Sequence, residues 1–575
     1  MTDRIDVLIV GAGFAGMYAL YRFRKQGLNV TVVEAGSDVG GTWYWNRYPG
    51  ARCDVPSLEY SYGFSEELEQ QWDWPEVFSA QPDILEYANH VADRFDLRRD
   101  IHFNTRVIAV EYSEDDNVWR ITTEQGGQFQ ARFCVMATGC LSVPNTPEIP
   151  GADRFGGTVL HTALWPKDAV DLGGKQVGII GTGSSGVQAI PELARQAGHL
   201  TVFQRTPVYT VPANRKRMRA AVQQEFRDNY RVIREMQQNS AGGVSNFRPV
   251  RSVQRPSTTA PDASGTSLPS ASIGATSTPP GAAPIEIMGL TTQQRKKLVA
   301  ERGLNVLLTF RDVYSDPVAN EVANETFRDA LRDMIDDPQV GERLSPKTYG
   351  LGCKRQVLDR DYYDTFNRDD VTLVDVIETP FETITKQGIR TSDCHYDLDV
   401  LIYATGFDAM TGALLKANIR GRDGQQLADK WRFGPVAYLG LQMHGFPNLF
   451  TITGPGSPSV LSNMLVAIEQ HVNWIGDCIG HLGDHDLHSI EPTPQAELDW
   501  VAHVNDVAEG TMFTQPSCNS WYLGSNIPGK QRIFMPYVGG YPRDRERCEQ
   551  GVADGYEGFQ LGLRPRHPTP NAHRT

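Results

Sequence analysis

Asp6-Val7-Leu8-Ile9-Val10-Gly11-Ala12-Gly13-Phe14-Ala15-Gly16 decides the fold. The apolar run before Gly11 reads as a short buried strand, and Met17, Leu20, Tyr21 and Phe23 then recur at helical spacing until Gly27 ends the helix. Residues 30–34 read as the next parallel strand. In such a strand–helix–strand unit the glycines permit a tight turn and let a pyrophosphate approach the helix N-terminus, where unpaired N–H groups and the dipole favour an anion. Glu34 closes the second strand, where a carboxylate accepts hydrogen bonds from ribose hydroxyls. Together these features predict a dinucleotide site.

The same order of elements returns at residues 176–180, followed by Gly181-Thr182-Gly183-Ser184-Ser185-Gly186, a helix to about Ala197 and a strand over 200–204. This strand ends in Arg205-Thr206. An acid there would repel a 2′-phosphate, whereas a guanidinium pairs with it bidentately, so the second site is expected to take NADP(H) and the first FAD. The expected fold class is therefore α/β, with two doubly wound, Rossmann-like dinucleotide-binding domains. Two buried strands end alike, at Ala137-Thr138-Gly139 and Ala404-Thr405-Gly406, and read as crossings between the domains.

These readings divide the chain into an FAD-binding domain (1–150, then 396–545) and an NADP-binding domain (151–215, then 341–395). A helical subdomain at 216–340 interrupts the latter, and 546–575 is expected to be a C-terminal tail. Within the subdomain, 26 of the 29 residues from Pro256 to Pro284 are Pro, Ser, Thr, Ala or Gly and one is charged. That composition buries too little apolar area to offset chain entropy, so a surface loop is expected.

Composition narrows the rest. Of 575 residues, 55 are Lys or Arg and 69 Asp or Glu, a net charge of −14 with no basic block, which argues against nucleic acid as a partner. No stretch supplies the ~18 consecutive apolar residues of a membrane span, and no signal peptide is recognisable. Eight cysteines are scattered without a Cys-x-x-Cys pair or metal-ligand spacing. Free thiols, a cytoplasmic location and no metal are expected. The lack of a Cys-x-x-Cys pair also sets aside disulfide reduction by the flavin and leaves O₂ as the electron acceptor.

Between the two glycine motifs stands Phe155-Gly156-Gly157-Thr158-Val159-Leu160-His161-Thr162-Ala163-Leu164-Trp165-Pro166, which resembles the FxGxxxHxxxWP fingerprint of type I Baeyer–Villiger monooxygenases. The likeness continues through residues 40–54, 352–355 and 519–530, and within the family is nearest the phenylacetone-oxidising branch. It implies that NADPH reduces FAD, that O₂ adds to the flavin as a C4a-peroxide, and that this peroxide attacks a ketone to give an ester or lactone plus water. An amine- or sulfide-oxidising flavin monooxygenase is the alternative, and a non-catalytic NADPH/flavin redox sensor a more distant one.

The resemblance also assigns residues. Arg355 corresponds to the catalytic arginine, a permanent cation that stabilises anionic oxygen without donating a proton, and Asp54 to the carboxylate beside it. FAD is expected against Gly11, Gly13, Ala15, Gly16, Glu34, Thr42, Trp43, Tyr44, Trp45, Arg52, Cys53, Asp54, Tyr60 and Val107. NADP is expected against Gly181, Thr182, Gly183, Ser184, Ser185, Gly186, Val187, Gln188, Arg205, Thr206, Lys354, Arg355 and Trp521, and by resemblance stays bound through the cycle. On an extended segment neighbouring side chains diverge, so Lys354 can face the 2′-phosphate while Arg355 faces the flavin. Phe155, Gly157, His161 and Trp165 form a conformational motif, and Ser459, Val460, Leu461 and Met464 fall where the family lines its ketone pocket. The partners implied are a ketone and O₂. Nothing in the residues specifies an oligomeric state.

Overall fold

Strand β1 (Ile5–Val10), helix α1 (Phe14–Lys25) and strand β2 (Val30–Val33) form the first dinucleotide unit. The chain is seen in a computed structural model that describes residues 5–213, 217–245, 247 and 286–563; the low-complexity stretch 256–284 and everything after Leu563 lie outside the described residues. β1 and β2 are parallel, Val7 opposite Val30 and Val10 opposite Val33, and α1 buries Met17, Leu20 and Phe23 against them. On its other side β1 pairs in parallel with β3 (Gln128–Met136), Val10 opposite Met136. The winding direction changes at β1. In open α/β sheets such a point leaves a crevice at the C-terminal ends of the strands, which is where ligands bind.

This eight-stranded sheet also carries Ile101–His102 beside β2 and Leu449–Thr451 beside β3. Beyond β3 lie Val118–Thr123 and Val107–Ser113, each antiparallel to its inner neighbour, with Ile419–Arg420 outermost and parallel to Val107–Ser113.

The second sheet has five strands, all parallel: β4 (Thr158–His161), β5 (Gln176–Ile180), β6 (His199–Gln204), β7 (Val371–Asp375) and β8 (Val400–Tyr403), in the order β7-β6-β5-β8-β4. Helix α2 (Ser184–Ala194) follows β5. Every residue of β8 is buried, which is why that strand is apolar without alternation. Each such side chain contributes about 1.5–3 kcal/mol by leaving water. The chain leaves the first sheet after β3, builds the second, and returns after β8, so Ala137-Thr138-Gly139 and Ala404-Thr405-Gly406 are both passages between sheets. Gly139 and Gly406 turn there with φ of 67° and 76°.

Between β6 and β7 lie helices Ala220–Asp228, Tyr230–Gln238, Thr292–Arg302, Pro317–Met334 and Pro338–Leu344. The longest buries Ala319, Ala323, Phe327 and Leu331 in the same core as the second sheet.

The C-terminal tail expected from 546 needs correction. Residues Tyr541–Ala553 form a helix and Phe559–Leu563 a strand antiparallel to Leu487–Pro492. Cys548, Tyr556 and Phe559 are buried with Trp474 and Ile490, so a few well-spaced apolar groups dock a segment that is otherwise charged.

Candidate active site

The first glycine motif is dictated by backbone contact. Gly11 has φ 107°, and a Cβ there would stand 2.6 Å from the carbonyl oxygen of Ala137 in the first crossing; a Cβ on Gly16 would overlap the carbonyl of Gly11. Gly13 lies against Gly41, itself at φ 53°, which brings the Gly-Gly-Thr-Trp segment over the turn. Glu34 is buried at the end of β2. One of its carboxylate oxygens accepts from Ala12 N (2.7 Å) and the other from Gly36 N (2.6 Å). Burial raises its pKa despite these bonds, and each oxygen keeps a lone pair for a ribose hydroxyl. This cradle, with an acid at its edge and no room for side chains at its turn, fits FAD.

Of the other residues expected at the flavin, Trp43 and Tyr44 are buried, Trp45 is half-buried and Thr42 is exposed. Trp43 Nε1 donates to the Tyr60 hydroxyl at 3.1 Å. Arg52 pairs with Glu76 at 2.6 Å and donates to Phe78 O. Cys53 is buried, its thiol pushed well up by burial. Ala15 lies on α1, and Val107 opens the strand next to the outermost one of the first sheet.

The second motif repeats the first. Gly181 has φ 110° and its Cβ would stand 2.6 Å from Ala404 O in the second crossing; Gly186 abuts Gly181 O. Thr182 Oγ1 donates to Thr206 O at 2.9 Å, joining the turn to the end of β6. At Gly183, by contrast, a Cβ would meet nothing within 4 Å. Ser184 is exposed, Ser185 half-buried and Val187 buried. Arg205 is exposed, and Lys354 is a neighbouring cation; among the described residues neither has a carboxylate partner. Lys354 Nζ sits 4.2 Å from the centroid of the Tyr349 ring. Burial, with a smaller push from Arg205, brings its pKa down to about 8. Two unneutralised cations beside a phosphate-binding turn fit NADP, whose 2′-phosphate supplies the missing charge.

Gln188 on α2 joins the two cradles. Its Oε1 accepts from the Tyr48 hydroxyl (2.9 Å) and from Arg52 N (3.3 Å), and its Nε2 donates to Arg52 O (3.1 Å). The segment that presents Asp54 is thereby fastened to the NADP helix.

Arg355 and Asp54 meet at that junction. Nε donates to Oδ2 at 2.5 Å and Nη2 to Oδ1 at 2.8 Å, while Nη1 donates to the carbonyl of Val460. Burial disfavours the guanidinium charge, but Asp54 more than offsets this and holds Arg355 above its ordinary pKa. Three of its five N–H donors are engaged by Asp54 and Val460. The Tyr522 hydroxyl also faces Arg355, its own pKa pushed up to about 12 by burial. Sequence reasoning missed both the Val460 carbonyl and Tyr522. A backbone oxygen has no residue-type signature, and Tyr522 stood in a recognised stretch beside the more conspicuous Trp521.

The remaining expected residues are spread around this point. His161 ends β4: its Nδ1 accepts from Ala163 N at 3.0 Å, and its Nε2 lies 3.3 Å from Asn145 O and 3.5 Å from Thr405 Oγ1 of the second crossing. Burial lowers its pKa, so it is a neutral linker between β4 and the crossing. A Cβ on Gly157 would overlap Asp399 O, Phe155 packs beside the second sheet, and Trp165 is buried. Ser459, at φ 45°, Val460 and Leu461 form a buried turn leading into the helix that begins at Met464. Of these residues the Val460 carbonyl accepts a hydrogen bond from Arg355. Trp521 is half-buried, its ring 4.4 Å from that of Tyr522.

The expectation of eight free thiols is overturned. Cys353 and Cys518 form a disulfide across 165 residues of sequence, and the other six cysteines are free. No local spacing announces such a pair, because only the fold brings the two segments together. Closing a loop of that length removes about 5 kcal/mol of unfolded-chain entropy in the loop-closure model.

Comparison with known proteins adds three kinds of likeness. Residues 8–260 match the family model described as pyridine nucleotide-disulphide oxidoreductase. A Baeyer-Villiger monooxygenase from Pseudooceanicola batsensis is 38% identical over 559 residues, covering 96% of this chain and 95% of that protein. Among solved structures, an oxidized steroid monooxygenase bound to NADP is 44% identical with a TM-score of 0.85, covering 98% of this chain and all of that one. The OTEMO complex with FAD and NADP is 35% identical with the same TM-score, covering 97% and 99%.

Proposed function

The chain belongs to the Baeyer–Villiger monooxygenases, enzymes that use FAD, NADPH and O₂ to convert a ketone to an ester or lactone, and from that premise we propose how its own residues divide the work. FAD and NADPH, when bound, supply hydride transfer and the activation of O₂. Gly11, Gly13, Gly16 and Glu34 hold the FAD pyrophosphate and ribose. Gly181, Gly183 and Gly186 hold the pyrophosphate of NADPH, with Arg205, Thr206 and Lys354 on its 2′-phosphate.

Arg355 is the catalytic residue. Its guanidinium keeps a positive charge at any working pH, stabilises negative charge on the reacting oxygens and gives no proton to them. Asp54, with Val460 O, sets the orientation of that guanidinium. Trp521 excludes water there, Ser459, Val460, Leu461 and Met464 bound the ketone, and His161 couples the NADP domain to its crossing. The domain limits given above follow from the two crossings, with the C-terminal helix and strand added to the FAD domain. Among the described residues no helix is long and apolar enough to cross a membrane, and we place the enzyme in the cytoplasm. Aromatic or small aliphatic ketones are the proposed substrate class.

The observation that carries this reading is the Arg355–Asp54 pair standing where the two cradles are fastened together. A panel of aromatic, cyclic and short-chain ketones, with a sulfide and an amine, read for NADPH consumption and for products by gas chromatography, tests it. Ester or lactone from phenyl or small aliphatic ketones is expected; turnover confined to the sulfide or amine would overturn it.

A further inference from the structure

The disulfide joins two segments that both reach the active site. Cys353 immediately precedes Lys354 and Arg355, and Cys518 lies three residues before Trp521. Their Cα atoms are 5.7 Å apart, and the residues are 1% and 0% exposed.

The segment that carries Trp521 is held at its other end by a different set of contacts. Asn526 Nδ2 donates to Phe407 O at 2.7 Å, and Lys530 pairs with Asp408 at 2.5 Å, both on the loop that follows the second crossing. Trp521 is thus strung between two anchors. One is polar, fastened to the crossing, and the other is covalent, fastened to the Arg355 segment. Tyr522 faces Arg355 between them. A cavity of about 190 Å³ is lined by Gly352, Leu461, Met512 and Phe513, among others.

We propose that the Cys353–Cys518 disulfide is a positioning clamp for oxygenation: it fixes Trp521 against the Lys354–Arg355 segment and so governs how much consumed NADPH ends in ester and how much in hydrogen peroxide. The proposal rests on the roles given above to Arg355 and Trp521. Without the covalent anchor the Trp521 segment keeps its contacts to residues 407–409, the bonds from Met535 N to Tyr522 O and from Arg532 to Cys518 O, and the packing of Tyr522, but loses its covalent tie to the Lys354–Arg355 segment, and water gains access to the reacting centre. Opening the clamp needs an added dithiol. The S–S bond accepts two electrons and two protons to become two thiols, and the dithiol closes to its own cyclic disulfide.

The test uses purified holoenzyme. Alkylation after denaturation should label six thiols before treatment with dithiothreitol and eight after it. Ester and hydrogen peroxide formed per NADPH are then measured, alongside thermal stability, for four samples: the untreated enzyme, the dithiothreitol-treated enzyme, the Cys353→Ser/Cys518→Ser double variant, and Trp521→Ala. The treated enzyme and the double variant should both show a peroxide share raised roughly threefold or more, with dithiothreitol adding nothing further to the variant. If the double variant does not fold, the treated wild-type enzyme carries the comparison. Eight thiols labelled without reduction would overturn the proposal. So would a lowered melting temperature with an unchanged partition, which is what a purely structural cross-link would give. An unchanged partition in Trp521→Ala would overturn the role of Trp521 itself, whereas a changed one beside an indifferent double variant removes the clamp alone.

Discussion

The two dinucleotide cradles start from one plan and finish differently. In each, the first glycine takes φ near 110° with its missing Cβ aimed at the alanine carbonyl of an Ala-Thr-Gly crossing, and the third glycine abuts the first. The difference lies at the second glycine and at the strand end. The FAD cradle is roofed by Gly41 over Gly13 and closed by buried Glu34. The NADP cradle has open space at Gly183 and an exposed Arg205 with Lys354 beside it. Shared glycine geometry thus accounts for binding a pyrophosphate, and the unlike surroundings account for which cofactor each site takes.

The most disruptive way to break this comparison is Gly16→Ala. Its methyl would collide with the Gly11 carbonyl, a backbone atom that cannot move without distorting the turn, at a cost of about 1–3 kcal/mol or more. Protein purified without flavin absorbance is expected, and a fully loaded yellow enzyme would show that the turn is not so constrained. Removing the cations of the second cradle should spare FAD entirely. Arg205→Ala and Lys354→Met should each raise the KM for NADPH roughly 10- to 100-fold, as expected for one charge-assisted bond, with little change for NADH. Equal losses with both nucleotides would contradict a 2′-phosphate role.

A smaller effect follows from pH. Because Lys354 loses its charge as pH rises through about 8, NADPH affinity should fall above that value and binding there should take up protons, as buffer-dependent calorimetry would detect. The sign for stability is opposite. Folded Lys354 binds fewer protons than an unfolded lysine between about 8 and 10.5, so its contribution to stability improves as pH rises across that interval. The smallest change is expected for Gly183→Ala, which enters open space. NADPH KM within about threefold of wild type and an unaltered flavin spectrum would sharpen the contrast with Gly16.

Much of this contrast was legible in the residues. Gly11, Gly16 and Glu34, like Gly181 and Arg205, sit at fixed offsets from strand and helix because backbone clearance and charge impose those offsets. What escaped was long-range or carried by the main chain. The Val460 carbonyl on Arg355 could be any residue's carbonyl. Cys353 and Cys518 pair across 165 residues without any local spacing. The strand Phe559–Leu563 is recruited by edge pairing with Leu487–Pro492, and its short sequence, with Gln560 and Gly562, looks like a tail. The roles of Asp54 and Arg355 came from family likeness; their bidentate contact is a product of folding residues 301 positions apart into one junction.

Arg355, oriented by Asp54 at that junction, is needed for oxygen transfer and not for the reduction of the flavin. Arg355→Ala with both cofactors bound should be mixed first with NADPH under anaerobic conditions and then with O₂ and ketone. The visible flavin band should bleach on NADPH addition while ester formation falls by ~10²–10³ or more. Ester formed at close to the wild-type rate would contradict it.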